Sequence, residues 1–106
     1  MAPTPANPEL KLETVKTSEE TLIRCIGKIT YTSAEVLRSA VRPLFPESKR
    51  VVLDLKDMTY LDSFGLGALV GIYLSARRQD CHLRLINVKQ QAQQVIQITN
   101  LGYLIE

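Results

Sequence analysis

Residues 50–69 read RVVLDLKDMTYLDSFGLGAL, and this stretch decides the fold that the sequence predicts. Its first six residues are nearly all apolar and partly β-branched, which is typical of a central strand covered on both faces. A loop is then predicted over 56–61, and helical periodicity predicts a long helix over 63–78. A buried strand that leads through a loop into a helix is a building unit of parallel sheets, so an α/β domain is expected.

Two strands and a helix are expected upstream of this unit. Apolar and polar residues alternate over 10–15, and 21–29 follows as a second strand after a polar turn, so the two should pair antiparallel. The sequence TSAE then matches a capping box, in which Thr32 would serve one free backbone amide and Glu35 another. A helix should follow and end before Pro46.

Downstream, residues 82–86 predict a further strand and residues 90–99 a third helix. The order β-β-α-β-α-β-α predicts a mixed sheet of four to five strands with the helices packed mainly on one face. Its later strands should be parallel and joined by right-handed crossovers. Residues 1–8 hold three of the five prolines and should form a flexible tail, which leaves 9–106 as one domain.

Composition argues for a single globular domain without a surface for nucleic acid. The 106 residues are 45% apolar, which suffices for one core. The 13 Lys and Arg residues against 11 Asp and Glu give a net charge of only +2, and the charges are spread along the chain. No direct nucleic-acid partner is therefore expected.

Cysteine usage and hydropathy predict a soluble, cytoplasmic protein. Cys25 and Cys81 lie in apolar stretches without CxxC spacing, so we expect reduced thiols in or near the core. The N-terminus, MAPTPANPEL, has no basic patch followed by an apolar run. No segment reaches the roughly 18 apolar residues that cross a bilayer, so no membrane insertion is expected.

The helix predicted over 63–78 is apolar on two sides. The side that should pack on the sheet holds Leu66, Leu69, Val70 and Tyr73. The opposite side holds Phe64, Ala68 and Ile72, beside a strip of small residues formed by Ser63, Gly67, Gly71 and Ser75. Each interior glycine costs about 1 kcal/mol relative to alanine, so a surface should approach the helix closely there. That surface is either another part of the domain or a partner protein.

Ser63 stands beside Asp62 at the expected start of this helix, and three roles are open to it. As a structural residue it would cap free backbone amides. The same position suits a phosphate, because the positive end of a helix dipole favours an anion. A catalytic nucleophile is the third role, but the G-x-S-x-G pattern is absent and His82 is the single candidate base. A P-loop and metal-ligand spacing are also absent, so we expect neither catalysis nor a bound cofactor.

The same stretch resembles the STAS domain family, in particular the stand-alone anti-sigma factor antagonists of bacteria. The signature of that family is a strand, a short loop and then Asp-Ser-Ser/Thr-Gly-Leu/Met-Gly at the start of a helix. This sequence matches it at Asp62, Ser63, Gly65, Leu66 and Gly67. The resemblance extends over nearly the whole domain, from GKIT at 27–30 to the closing strand, helix and tail after residue 82. It implies the STAS-like α/β fold.

The resemblance implies a phosphorylation switch. In the family, the serine after the aspartate is phosphorylated by an anti-sigma factor that is also a serine kinase and supplies the ATP. Here that residue is Ser63, and its neighbours are Asp62, Gly65 and Thr30. The unphosphorylated protein binds the anti-sigma factor and frees the sigma factor, phosphorylation weakens binding, and a phosphatase resets the switch. We expect the partner surface to include Tyr31, Phe64, Gly67, Ala68, Gly71 and Ile72.

Two residues depart from the family signature. Phe64 stands where a second hydroxyl residue is expected, and Thr30 stands where an acidic residue is common. Phe64 would either strengthen apolar docking or block the kinase and leave a constitutive binder. The second interpretation is therefore a constitutive subunit of a stress-signalling scaffold or a lipid-transport complex, in which the same fold binds partners without a phosphorylation cycle.

Overall fold

The computed structural model describes residues 8–90 and 92–94. It contains five strands and two long helical segments, followed by the start of a third. In chain order these are β1 (Leu10–Lys16), β2 (Glu20–Ile29), α1 (Ala34–Val41), a 3₁₀ turn (Arg42–Leu44), β3 (Arg50–Asp54), β4 (Met58–Leu61), α2 (Ser63–Arg78) and β5 (His82–Ile86). Residues 90 and 92–94 are helical, which agrees with the predicted third helix, and the rest of that prediction lies outside the described residues.

β2 organises the sheet, because three other strands pair with it. β1 runs antiparallel to β2, with Leu10 opposite Gly27. The first half of β2 pairs in parallel with β3, and the second half pairs in parallel with β4. β5 lies parallel to the outer edge of β3, so the strand order is β1-β2-β3-β5 with β4 beside β2. The predicted mixed sheet is therefore confirmed.

The predicted loop over 56–61 is wrong in its second half, where β4 forms. β2 is 10 residues long and extends past the end of β3, so its second half offers unpaired backbone groups to the next segment. Residues Met58–Leu61 satisfy those groups. Only Met58 of this strand is buried, and four residues are too few for a period of two to be visible in the sequence.

The core lies between α1, α2 and one face of the sheet. Ile23, Leu53 and Leu85 are fully buried on that face and belong to the same apolar cluster as the inner residues of both helices. The opposite face of the sheet carries Arg24, which is exposed. Val52 also points to that face and is buried, so β3 is covered on both sides as its sequence predicts.

The predicted capping box is wrong, because Ser33 and not Thr32 is the N-cap residue and Glu35 does not reach back. α1 begins at Ala34 and has Ser33 at its N-cap. The Glu35 carboxylate accepts hydrogen bonds from Arg38 and Ser39 farther along the helix, so it does not reach back to a free amide. An exposed carboxylate with basic and hydroxyl neighbours one turn on has partners on its own helix face.

Candidate functional site

The candidate site lies where α2 begins, at the carboxyl ends of β2 and β4. Asp62 is the N-cap residue, and its Oδ1 accepts a hydrogen bond of 2.8 Å from the Gly65 amide. The Asp62 amide donates to the Ile29 carbonyl at 3.3 Å, which attaches the helix start to the end of β2. Asp62, and not Ser63, is therefore the residue that caps the helix.

Gly65 fixes how closely this helix start approaches the sheet. A Cβ atom at Gly65 would lie 2.0 Å from the Ile29 carbonyl oxygen, far inside contact distance. Only glycine lets the first turn of α2 sit against the end of β2 in this way. The match of Gly65 to the family signature thus has a steric cause.

Ser63 is the first residue of α2, and its side chain is exposed. Within the described part of the chain, no group forms a hydrogen bond with its hydroxyl. The first amides of a helix and the positive end of its dipole point toward this position. The site therefore holds an accessible hydroxyl that contributes no side-chain hydrogen bond to the fold.

Two exposed aromatic side chains stand next to Ser63. Tyr31 is 72% exposed and Phe64 is 58% exposed. Their ring centroids are 5.1 Å apart and the rings meet edge to face at 72°. The Tyr31 amide donates to Asp62 Oδ2 at 3.2 Å, so one carboxylate holds both the α2 start and the loop that carries Tyr31.

The rings border an open groove of about 530 Å³ between the first turns of α1 and α2. Its lining is half apolar and half polar, and consists of Tyr31, Thr32, Ala34, Glu35, Arg38 and Phe64. Arg38 and Glu35 form an ion pair of 3.5 Å in its wall. The groove gives the neighbourhood of Ser63 a shape that a partner side chain can enter.

The loop before α1 is held by a carboxylate that the sequence did not single out. Thr30 Oγ1 donates to Glu9 Oε2 at 2.8 Å, and the Thr32 hydroxyl donates to the same oxygen. The hydrogen bonds from Thr32 and then Thr30 lower the pKa of Glu9 from its usual value of 4.5. A negative charge therefore lies beside Thr30 although residue 30 itself is not acidic. The pairing of Leu10 with Gly27, which brings Glu9 there, cannot be read from a local pattern.

Part of the predicted partner surface is wrong. Ala68 and Ile72 are fully buried, because α1 packs against that side of α2. Ser75 lies on the same side, and its hydroxyl is 3.4 Å from an Arg42 guanidinium nitrogen at the end of α1. Of the two explanations for an apolar second side, packing within the domain accounts for these residues.

The exposed apolar residues of α2 lie on a neighbouring side of the helix, next to the buried Ala68 and Ile72. Of the predicted surface, Phe64 and Gly67 are exposed and Gly71 is partly exposed. Leu74, which the sequence had not indicated, is 43% exposed. A Cβ atom at Gly67 or Gly71 would meet nothing within 4 Å, so no described part of the domain approaches α2 at these two glycines, in contrast to Gly65.

The structure separates Ser63 from the candidate base. His82 pairs with Arg50 at the start of β5, level with the start of β2, whereas Ser63 follows the strand end at Leu61 and Ile29. Those ends of β2 are about 30 Å apart at 3.3 Å per residue. A serine and a histidine at opposite ends of a sheet cannot form a nucleophile and base.

The described residues also bear on metal binding, on the two thiols and on membrane insertion. Residues 8–90 and 92–94 contain no cluster of three His, Cys, Asp or Glu side chains that could hold a metal ion. Cys25 and Cys81 are both buried, and desolvation raises the pKa of Cys25 to about 12. None of the described helices is long and apolar enough to cross a membrane.

The chain matches known proteins over most of its length. The sequence model of the STAS domain matches residues 11–106. The anti-sigma-B factor antagonist of Bacillus subtilis (strain 168) is 33% identical over 93 residues, which are 87% of this chain and 85% of that protein.

Solved structures agree on the fold. The anti-sigma factor antagonist SpoIIAA in its unphosphorylated form has a TM-score of 0.76 at 20% identity, covering 92% of this chain and 85% of the other. The Bacillus cell fate determinant SpoIIAA in the phosphorylated form has a TM-score of 0.72 at 20% identity, covering 92% and 88%. The predicted fold class is therefore confirmed.

Proposed function

This chain belongs to the STAS domain family, and from that premise we propose that it is an anti-sigma factor antagonist controlled by phosphorylation of Ser63. The relative with 33% identity over most of both chains carries that activity in its name. In this proposal the unphosphorylated chain binds an anti-sigma factor and thereby releases the sigma factor. The anti-sigma factor is also the serine kinase, and it brings the ATP.

The accessible hydroxyl of Ser63 at the first position of α2 is the observation that carries the proposal. Because Asp62 and not Ser63 caps the helix, a phosphate on Ser63 removes no hydrogen bond on which the fold depends. A phosphate adds about −1.5 to −2 charges and three acceptor oxygens, which the positive end of the helix dipole favours. The domain can therefore carry the modification while it stays folded.

The surroundings of Ser63 explain how a phosphate would change affinity. Phe64 follows Ser63 in the first turn of α2 and packs on Tyr31, and such exposed aromatic rings bind a partner by desolvation. A dianion at the same place must lose its hydration when the partner docks, and it meets the charge of Asp62 as well. A tenfold loss of affinity needs only about 1.4 kcal/mol.

Phe64 does not bury the phosphorylation site. Its ring packs on Tyr31, and Ser63 remains exposed with Phe64 in place. This geometry supports a substrate for the kinase over a protein whose serine is blocked by its neighbour. Phe64 then serves as an anchor for the partner.

Phosphorylation is tested by incubating the chain with ATP and each candidate anti-sigma factor kinase from the same genome, followed by intact-mass analysis. We expect one phosphate on the wild type and none on Ser63→Ala. A phosphate that appears equally on Ser63→Ala would assign the site to another residue. An ester hydrolase activity that Ser63→Ala abolishes would contradict the proposed function.

Measuring the affinity for the same anti-sigma factor distinguishes an antagonist controlled by phosphorylation from a constitutive subunit. Ser63→Ala should bind like the wild type, and Ser63→Asp should bind about tenfold more weakly or worse. Ser18→Asp is the matched control, because Ser18 is an exposed serine in the turn between β1 and β2, and the variant adds the same charge at the other end of β2. Tight binding without phosphate transfer, with Ser63→Asp unaffected, would favour a constitutive scaffold or transport-complex subunit.

A further inference from the structure

The exposed face of α2 carries an apolar stripe that the described chain leaves largely uncovered, apart from the Tyr31 ring against Phe64. We define the outer stripe as Phe64, Gly67, Gly71 and Leu74. Its two large members are 58% and 43% exposed, and its two glycines have no neighbour within 4 Å of a would-be Cβ atom. Glycine inside a helix is less stable than alanine, and at Gly67 and Gly71 the described domain gains no close contact in return.

The outer stripe is complementary to itself. Its members are spaced three, four and three residues apart, in the order large, small, small, large, so the pattern is the same in both directions. A twofold contact requires such a pattern, because residue i of one copy meets residue j of the other and the reverse. An antiparallel pair of α2 helices would set Phe64 against Leu74 of the second copy and Gly67 against its Gly71.

The charges at the two ends of α2 fit the same arrangement. The N-terminal end carries the Asp62 carboxylate, and the C-terminal end carries Arg77 and Arg78 in its last turn. Arg77 lies 5.9 Å from the centre of the Tyr73 ring, which leaves the exposed Arg78 nearest the stripe. Antiparallel pairing brings Arg78 of one copy toward Asp62 of the other and opposes the two helix dipoles.

We propose that the outer stripe is a self-association surface on which a second copy of this chain docks, α2 against α2 in antiparallel orientation. Bare glycine backbones allow two helices to approach more closely than larger side chains permit. One pair of helix faces buries less than the about 800 Å² per partner of a standard interface. The dimer is therefore weak and reversible, with a Kd on the order of 100 μM.

This pairing goes beyond the proposed function and does not depend on it. It does have a consequence for that function, because Phe64 and Gly67 cannot contact a second copy and an anti-sigma factor at once. Self-association would compete with the partner at high protein concentration.

Sedimentation equilibrium from about 10 μM to about 1 mM tests the association with the purified chain alone. The wild type should change from monomer to dimer over that range, and Leu74→Arg should raise the Kd by about tenfold or more. Val15→Arg is the matched control, because Val15 is an apolar residue with 54% exposure on β1, and it should dimerise like the wild type. A monomer at every concentration, or a dimer that Val15→Arg disrupts and Leu74→Arg does not, would overturn the proposal.

Disulfide trapping tests the antiparallel register. The native Cys25 and Cys81 are buried, and a side chain at 67 or 71 enters open space, so single cysteines there should be tolerated. A mixture of Gly67→Cys and Gly71→Cys should give mainly the mixed 67–71 disulfide under mild oxidation, because the bond needs Cα atoms within about 7 Å. Predominance of the 67–67 and 71–71 products would contradict the register. Circular dichroism of each variant verifies that it is folded.

Discussion

Ser33 and Ser63 stand at the starts of the two helices and have opposite roles. Ser33 is fully buried; its hydroxyl accepts from the Thr30 amide at 2.9 Å and donates to the Lys28 carbonyl at 2.7 Å. Ser63 is exposed, and its hydroxyl has no partner in the part of the chain that the structure describes. One serine holds a loop, and the other is available to a second molecule.

The difference shows which property of a helix-start serine indicates modification. Both residues lie beside a helix N-terminus, so the helix dipole alone does not distinguish them. The Ser33 hydroxyl forms hydrogen bonds with two backbone groups, whereas Asp62 caps the helix that begins at Ser63. Because Asp62 caps α2, the Ser63 hydroxyl is not needed to stabilise the helix start.

The largest effect is expected from Gly65→Ala, which tests whether the start of α2 is held in place independently of Ser63. Gly65→Ala places a methyl group 2.0 Å from the Ile29 carbonyl oxygen, so the helix start must move and the free energy of unfolding should fall by about 3 kcal/mol. Gly67→Ala is the matched control: its methyl group enters open space, and the helix should gain about 1 kcal/mol. Urea unfolding of both variants measures these changes. Equal effects of the same sign would show that the close approach at Gly65 does not hold α2.

The next effect compares the two serines directly. Ser33→Ala leaves the Thr30 amide and the Lys28 carbonyl without their side-chain partner, so it should cost about 2 kcal/mol of unfolding free energy. Ser63→Ala removes no hydrogen bond in the described structure and should stay within about 0.5 kcal/mol of the wild type. Urea midpoints measured side by side suffice. A loss at Ser63→Ala comparable to that at Ser33→Ala would mean that Ser63 is structural.

Most of the fold could be predicted from the sequence, because long periodic segments determine it. The segment of α2 has both its ends at the predicted residues, and β5 does as well. β4 could not be predicted, since its four residues form a strand only through pairing with the free half of β2. Contacts between distant segments, such as β2 with β4, leave no local pattern.

The structural surroundings of the candidate site were predictable only in part. The sequence around Ser63 predicts the start of a helix, and α2 begins at Ser63. A helical wheel shows two apolar sides but not which one a second helix covers, so Ile72 was assigned to the surface although α1 buries it. Glu9 was missed because the register of β1, and no motif, brings it to Thr30.

The smallest effect concerns how the loop before α1 responds to pH. Hydrogen bonds from Thr32 and Thr30 lower the pKa of the Glu9 carboxyl below its unfolded value of 4.5. Its stabilisation is therefore fully present above pH 4.5 and is lost as the pH falls through the lower, folded-state pKa. An NMR titration should show the Thr32 amide, whose residue donates its hydroxyl to Glu9, shifting with a midpoint below 4.5 in the wild type and not in Glu9→Gln. Because this carboxylate is accessible to water, the change in urea midpoint should be small.

A second carboxyl group with a lowered pKa, that of Glu47, supplies the control for that titration. The hydrogen bond from Lys16 and then its positive charge lower the pKa of Glu47, which lies beside the far end of β1 and away from Ser63. Glu47→Gln should therefore leave the Thr32 titration unchanged, because Glu9 and not Glu47 accepts from the Thr32 hydroxyl. If Glu9→Gln retains the wild-type midpoint, a different acid controls this loop, and the Asp62 carboxylate, which accepts from the Tyr31 amide, becomes the group to test.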